Sequence, residues 1–180
     1  YVLAVPADRA RALAPALGLD RLETSPITGI HLWFDQPVMD LPQAALLEGA
    51  VHWAFNKREG RYVELVVSAS RDLLPLSREQ LTALAVRELA AFFPAAGATR
   101  LERAHVVREV RATFSPQPGV EARRPATRTR LGNLFLAGDY TKSGWPATME
   151  SAVRSGYLAA EAVTAAFGAP QKFLIADPEP

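Results

Sequence analysis

Apolar and polar positions follow two different periods along this 180-residue chain, and each change of period marks a new element. Period two comes first. Ile27–Phe34 places Ile30, Leu32 and Phe34 on one face and His31 and Trp33 on the other. Val51, Trp53 and Phe55 alternate in a second strand. Lys57-Arg-Glu-Gly60 supplies turn chemistry, and Tyr62–Ser68 returns with Val63, Leu65 and Val67 on one face. Alternation on both sides of a short polar turn predicts a hairpin, so this region reads as antiparallel sheet. Ala104–Thr113, with Arg108 and Arg111 amid valines, predicts a further strand.

Helical spacing takes over elsewhere. Ala7–Leu17 is alanine-rich, with Pro15 and Gly18 limiting its length. Ser77-Arg-Glu-Gln80 is a capping-box pattern. It opens a helix whose Leu81, Leu84, Ala85, Leu89, Phe92 and Phe93 form one apolar stripe, stopped by Pro94. A last helix is predicted over Ala147–Phe167, ending at Gly168. Its small residues Ala152, Gly156, Ala159, Ala160 and Val163 form a stripe that lets it lie close on a sheet.

Two short runs, Tyr1–Pro6 and Leu134–Ala137, are apolar on both faces and read as buried strands of the parallel type. Two strands do not make a stable doubly wound sheet. The chain also opens without Met, as though the first strand were already under way. The expectation is the C-terminal portion of a longer protein. Ser115–Arg130 reads as a Pro- and Arg-rich loop leading into a strand over Leu131–Ala137, and Ala169–Pro180 as a frayed tail.

Composition narrows the chemistry. A net charge of +1 gives no reason to expect a nucleic-acid partner, and no nucleic-acid module accompanies the arginines. Zero cysteines removes disulfides, thiolate catalysis and cysteine metal sites, and is compatible with a cytoplasmic protein. There is no apolar run of the roughly 18–20 residues needed to span a membrane, and no secretory leader. His31, His52 and His105 share no ligand spacing and read as ordinary strand histidines, so no metal is expected, although His31 and His52 lie near tryptophans and either can face a pocket. Trp33, Trp53, Phe55 and Tyr62 read as core first and substrate wall second. Arg123, Arg124, Arg128 and Arg130 read as a solvated basic loop, with contact to anionic lipid headgroups at the inner membrane or to a cofactor phosphate as the lesser reading.

The stretch from Asn133 to Gly156 carries the most information. An apolar run ends in Gly138-Asp139, a polar loop follows, and a helix begins after Pro146. Such a segment delivers a carboxylate and the free N–H groups of a helix start to one place beyond the carboxyl end of a strand. It resembles, residue for residue, the C-terminal flavin-binding segment of the FAD-dependent amine oxidase and carotenoid/squalene desaturase superfamily. Leu-Ala-Gly-Asp139-Tyr-Thr-Lys is similar to the phytoene desaturase branch, and Ser143-Gly-Trp-Pro-Ala-Thr-Met149-Glu-Ser-Ala to the bacterial hydroxysqualene dehydroxylases. The superfamily's N-terminal Gly-x-Gly-x-x-Gly fingerprint does not occur in this chain.

The resemblance implies an α/β plus α+β fold. Residues 1–6 and 131–168 would be the C-terminal part of a Rossmann-type FAD-binding domain, with an antiparallel-sheet and helix substrate domain inserted over 7–130 and a tail over 169–180. It implies FAD as cofactor, held by Gly138, Asp139, Thr148 and Met149, the Met149 N–H meeting the ring while its side chain fills a core gap. Ala147 and Trp145 would face a long isoprenoid substrate, although a small residue at Ala147 is also what a tight helix start needs. The expected reaction is reductive dehydroxylation of hydroxysqualene to squalene in squalene and hopanoid biosynthesis, with no catalytic residue assignable in this chain. Rival readings are phytoene-type desaturation, an amine oxidase with Tyr140 or Tyr157 in its aromatic cage, and a truncated non-catalytic module. The missing N-terminal half is the expected partner, and the fragment alone is expected to be inactive.

Overall fold

The computed structural model describes residues 1–19 and 22–176. In chain order the elements are β1 (Val2–Ala4), α1 (Ala7–Leu13), β2 (Thr24–Phe34), β3 (Gln43–Ala45), β4 (Trp53–Arg58) and β5 (Tyr62–Ser68). There follow α2 (Arg78–Phe92), α3 (Ala95–Ala98), β6 (Leu101–Phe114), α4 (Val120–Arg123), β7 (Phe135–Ala137) and α5 (Met149–Ala166). They form two compact units, one of Tyr1–Thr24 with Thr113–Pro180 and one of Ser25–Ala112. The chain leaves the first unit within β2 and returns within β6. Residues 7–19, 22–24 and 113–130, expected in the inserted region, therefore fold with the short parallel strands.

The second unit is a five-stranded sheet of order β3-β4-β5-β2-β6. Antiparallel β2 and β5 pair in register from Ile27↔Ser68 to Trp33↔Tyr62, and β4 pairs with β5 as a hairpin. The turn needs a glycine: Gly60 has φ +77°, and a Cβ there would lie 2.5 Å from the Met39 carbonyl oxygen. Alternation puts Ile30, Leu32, Phe34, Val63, Leu65 and Val67 in one buried cluster with Leu81, Ala85 and Leu89 of α2. The Ser77 hydroxyl accepts from the Gln80 N–H at 3.1 Å and the Gln80 side chain accepts from the Ser77 N–H at 2.7 Å, which closes the expected capping box. Phe92 departs from the expected stripe and is exposed, because the helix ends there and Phe93 carries the cap.

In the first unit β1 pairs parallel with β7, Val2↔Phe135 to Ala4↔Ala137. Phe135, Leu136 and Ala137 are buried, as expected of a strand covered on both faces. The strand begins one residue inside the expected Leu134–Ala137 run, and Leu131 before it is exposed. β1 is not a buried strand: Tyr1 and Val2 are exposed, since among the described residues only β7 pairs with it. The first helix stops at Leu13, and Pro15–Leu17 continue as a 3-10 turn, as proline disfavours helix in the residue before it. The tail is not frayed over its described part: the Phe173 and Leu174 N–H groups donate to Glu161 Oε1 at 2.8 and 2.9 Å. Residues 177–180 lie outside the described residues.

Candidate functional site

All the residues of the site lie in the first unit, where β7 runs through a polar loop into α5. Gly138 ends the strand at φ +153°, and a Cβ there would fall 2.3 Å from the Tyr140 ring. Its N–H donates to Ser155 Oγ at 2.7 Å, and its carbonyl accepts from the Thr141 N–H at 3.0 Å. Asp139 is half-buried. Its Oδ2 accepts from the Thr113 hydroxyl at 2.9 Å, which orients the carboxylate and leaves Oδ1 without a partner among the described residues. The Asp139 carbonyl accepts from Ser151 Oγ at 3.0 Å, and this contact ties the loop to the first turn of α5.

That turn starts at Met149, two residues later than expected, because Thr148 is the N-cap and its hydroxyl accepts from the Ser151 N–H at 3.1 Å. The N–H groups of Met149 and Glu150 have no intrahelical acceptor. The Met149 side chain is 89% exposed, so it fills no core gap. Its place at the first helical position is instead one where the main chain faces outward. Ala147 is half-buried against the cluster that contains Leu136 and Tyr140, a packing position. Trp145 is half-buried with the Arg154 guanidinium 5.6 Å from its ring centroid. The face that α5 buries is the expected one only in its second half, where Ala159 is buried and Ala160 and Val163 are half-buried. Ser151, Ser155 and Ala159 are buried, whereas Ala152 and Gly156 are exposed. The serines can be buried because each hydroxyl is bonded, Ser151 to the Asp139 carbonyl and Ser155 to the Ala152 carbonyl at 2.6 Å.

The residue that organises this loop is Arg124, expected from the sequence to be solvated. Its side chain is 3% exposed. One nitrogen donates to the Trp145 carbonyl at 2.8 Å and to Glu121 at 2.7 Å, and the other to the Asp139 carbonyl at 2.9 Å, the Thr141 carbonyl and Ser143 Oγ at 3.2 Å. The Phe114 ring lies 5.1 Å from the guanidinium carbon. A planar fork of donors suits this role, since one side chain gathers the carbonyls of residues 139, 141 and 145. No signal in the sequence separates Arg124 from its three neighbouring arginines.

Tyr140 is fully buried and its hydroxyl has no partner among the described residues. Burial, with the Asp139 charge beside it, pushes its pKa up to about 12, so the phenol stays neutral. A buried Tyr140 cannot stand in an aromatic cage, whereas Tyr157 is 42% exposed.

The arrangement offers a carboxylate oxygen free to accept from a hydroxyl and, next to it, helix N–H groups free to donate to an electron-rich ring. This donor and acceptor set fits a flavin, whose sugar chain carries hydroxyls and whose reduced ring carries negative charge.

Comparison with known proteins agrees. A family model described as flavin containing amine oxidoreductase matches residues 1–164. The chain is 37% identical to a hydroxysqualene dehydroxylase of Rhodopseudomonas palustris, over 92% of this chain and 38% of that protein. It is 30% identical to a 15-cis-phytoene desaturase of Synechococcus elongatus, over 92% of this chain and 40% of that protein. Among solved structures, a protein titled putative protoporphyrinogen oxidase from Exiguobacterium sp. 255-15 superposes with a TM-score of 0.60 at 13% identity, covering 93% of this chain and 41% of that one. The chain thus spans about two fifths of the length of these curated relatives.

Proposed function

The chain belongs to the flavin containing amine oxidoreductase family, and from that premise we propose that it is the C-terminal part of an FAD-dependent oxidoreductase that converts hydroxysqualene to squalene. The observation that carries the cofactor site is the joining of Asp139 to the start of α5 through the Ser151 hydroxyl, with a carboxylate oxygen and two helix N–H groups left free. The substrate reading rests on the likeness to hydroxysqualene dehydroxylases.

In this reading the unit of β1, β7 and α5 completes a Rossmann-type FAD domain whose dinucleotide fingerprint lies in the missing N-terminal part. The unit of β2–β6 and α2 is the substrate domain. Reduced FAD, when bound, supplies a hydride. Asp139 accepts a hydrogen bond from the ribityl chain. Gly138 sets the bend that brings the carboxylate out of the strand. Thr148 caps α5, and the Met149 N–H, with the partial positive charge of the helix start, favours negative charge on the pyrimidine ring. Ala147 and Trp145 lie beside that helix start, where a small residue and a flat one leave room for a polyprenyl chain. Among the described residues no helix is long and apolar enough to cross a membrane. Peripheral contact with the inner membrane would give so apolar a substrate a route of entry, with exposed Arg128 and Arg130 available to anionic headgroups.

Phytoene-type desaturation is the second reading, favoured by the cyanobacterial desaturase at 30% identity. The two differ in the direction of hydride flow. The test is to purify the full-length protein with FAD, reduce it anaerobically and incubate it with hydroxysqualene, and in parallel to incubate the oxidised protein with phytoene. Squalene from the first and no product from the second is expected. Desaturated phytoene with hydroxysqualene unchanged would overturn the reading.

A further inference from the structure

Two opposite charges flank the loop between β7 and α5. The Asp139 carboxylate is half-buried, with a hydroxyl partner and no ion pair among the described residues. A carboxylate held beside a ring that becomes negative on reduction opposes that reduction, since like charges repel strongly where water is scarce. The Arg124 guanidinium lies on the inner side of the same residue. One of its nitrogens donates to the Asp139 carbonyl at 2.9 Å and lies 3.3 Å from Ser151 Oγ, in the first turn of α5.

For the fold alone this placement is costly. A buried cation gives up its hydration. Against the start of a helix it also meets the positive end of the helix dipole, where an anion is the favoured neighbour. Its Nε is buried without a partner among the described residues. The carboxylate paired with it, Glu121 at 2.7 Å, is 62% exposed, so water and salt screen that charge, whereas the guanidinium is 3% exposed and keeps its own. The remaining charges near the turn add little: Lys142 is exposed, and Glu150 pairs with Arg154 at 3.9 Å. A buried positive charge with only a screened counter-ion suits a site whose ligand gains negative charge.

We propose that Arg124 sets the balance between oxidised and reduced flavin: its buried charge offsets the Asp139 carboxylate and, with the start of α5, favours the negatively charged reduced ring. The proposal rests on the flavin site described above and deepens it, since Arg124 acts there through its charge as well as by holding the loop.

The test measures dissociation constants of the full-length apoprotein for oxidised FAD and for dithionite-reduced FAD, with circular dichroism to show that each variant is folded. The ratio of the two constants is the readout, because loss of structure alone weakens both forms alike. Arg124→Gln removes the charge and keeps an amide donor. Its preference for reduced over oxidised FAD should be about tenfold lower than that of wild type, which is about 30 mV for a two-electron couple. Arg124→Lys keeps the charge without the planar fork, so both constants should rise while their ratio stays within about twofold of wild type. Asp139→Asn keeps an acceptor for Thr113 and removes the opposing charge, and its ratio should move about tenfold the other way. An unchanged ratio in Arg124→Gln or in Asp139→Asn would overturn the proposal and leave the flavin site in place. An equal fall in the ratio for Arg124→Gln and Arg124→Lys would also overturn it, by tracing the shift to the loop rather than to the charge. A wild type that binds neither form would overturn the flavin reading, and this proposal with it.

Discussion

The loop between β7 and α5 and the hairpin of β4 and β5 are held by opposite means. In the hairpin, charge is at the surface: Lys57 and Glu64 pair at 3.0 Å with side chains 45% and 25% exposed, while Ala54, Val63, Leu65 and Val67 carry the buried side. In the loop, charge is at the centre, with a buried guanidinium gathering carbonyls and hydroxyls and, among the described residues, only the exposed Glu121 as counter-ion. Apolar packing tolerates many combinations of side chains of similar volume. A buried donor fork tolerates almost none, because each carbonyl it leaves behind is an unsatisfied buried group. A ligand site gains from the second arrangement, since it fixes the positions of main-chain atoms.

Substitution of the two cations separates these regimes most sharply. Arg124→Met should destabilise the protein by about 2–4 kcal/mol, since the Trp145 and Thr141 carbonyls lose their charged donor and each unsatisfied buried polar group costs about 1–3 kcal/mol. Lys57→Met should cost under about 1 kcal/mol, as for an exposed pair. Urea unfolding of the full-length protein measures both. Equal costs would mean that the loop is held by its apolar contacts, as the hairpin is.

A smaller effect is expected at Tyr140. Its buried hydroxyl has no partner among the described residues, so Tyr140→Phe removes a desolvated polar group without a hydrogen bond to lose. The variant should be as stable as wild type or more stable by up to about 1 kcal/mol. A loss of more than that in the same unfolding experiment would show that the hydroxyl is bonded in the full protein.

How much could be read beforehand also differs between the regions. The hairpin, α2 and its cap were legible because alternation, turn residues and the Ser77–Gln80 spacing are local signals. At the site, the carboxylate after an apolar run and the helix start after Pro146 were legible locally, but their role toward a flavin was legible only through resemblance. Arg124 was not legible: its partners are main-chain carbonyls, and every residue carries one. Ser151 and Ser155 were passed over for alanines because burial of a serine depends on hydroxyl partners that only the fold supplies. Only the Met149 side chain departs from expectation: it is apolar and suggests a core gap, but it is exposed, because the position serves the main chain.

The smallest effect concerns the tail. Glu161 has its pKa lowered, first by the Leu174 N–H, then by that of Phe173, with Lys172 adding a little. A lowered folded-state pKa gives a contribution that is present above the ordinary glutamate range and is lost as pH falls through the folded value. Amide exchange at Phe173 and Leu174, corrected for intrinsic rates, should therefore show protection at neutral pH that declines only below that range. In Glu161→Ala the protection should be absent at every pH. Protection independent of pH in the wild type would mean that apolar contacts, not the carboxylate, hold the tail.

The central claim is that Asp139, oriented by Thr113 and joined to the start of α5, binds the cofactor. The direct measurement is the FAD dissociation constant of the full-length apoprotein for Asp139→Ala beside the exposed-site control Asp40→Ala. Loss of a charge-assisted hydrogen bond is worth about 1.5–3 kcal/mol, so Asp139→Ala should bind FAD about ten- to a hundredfold more weakly, with the control at wild-type affinity. Wild-type affinity in both variants would contradict the account and place the flavin elsewhere.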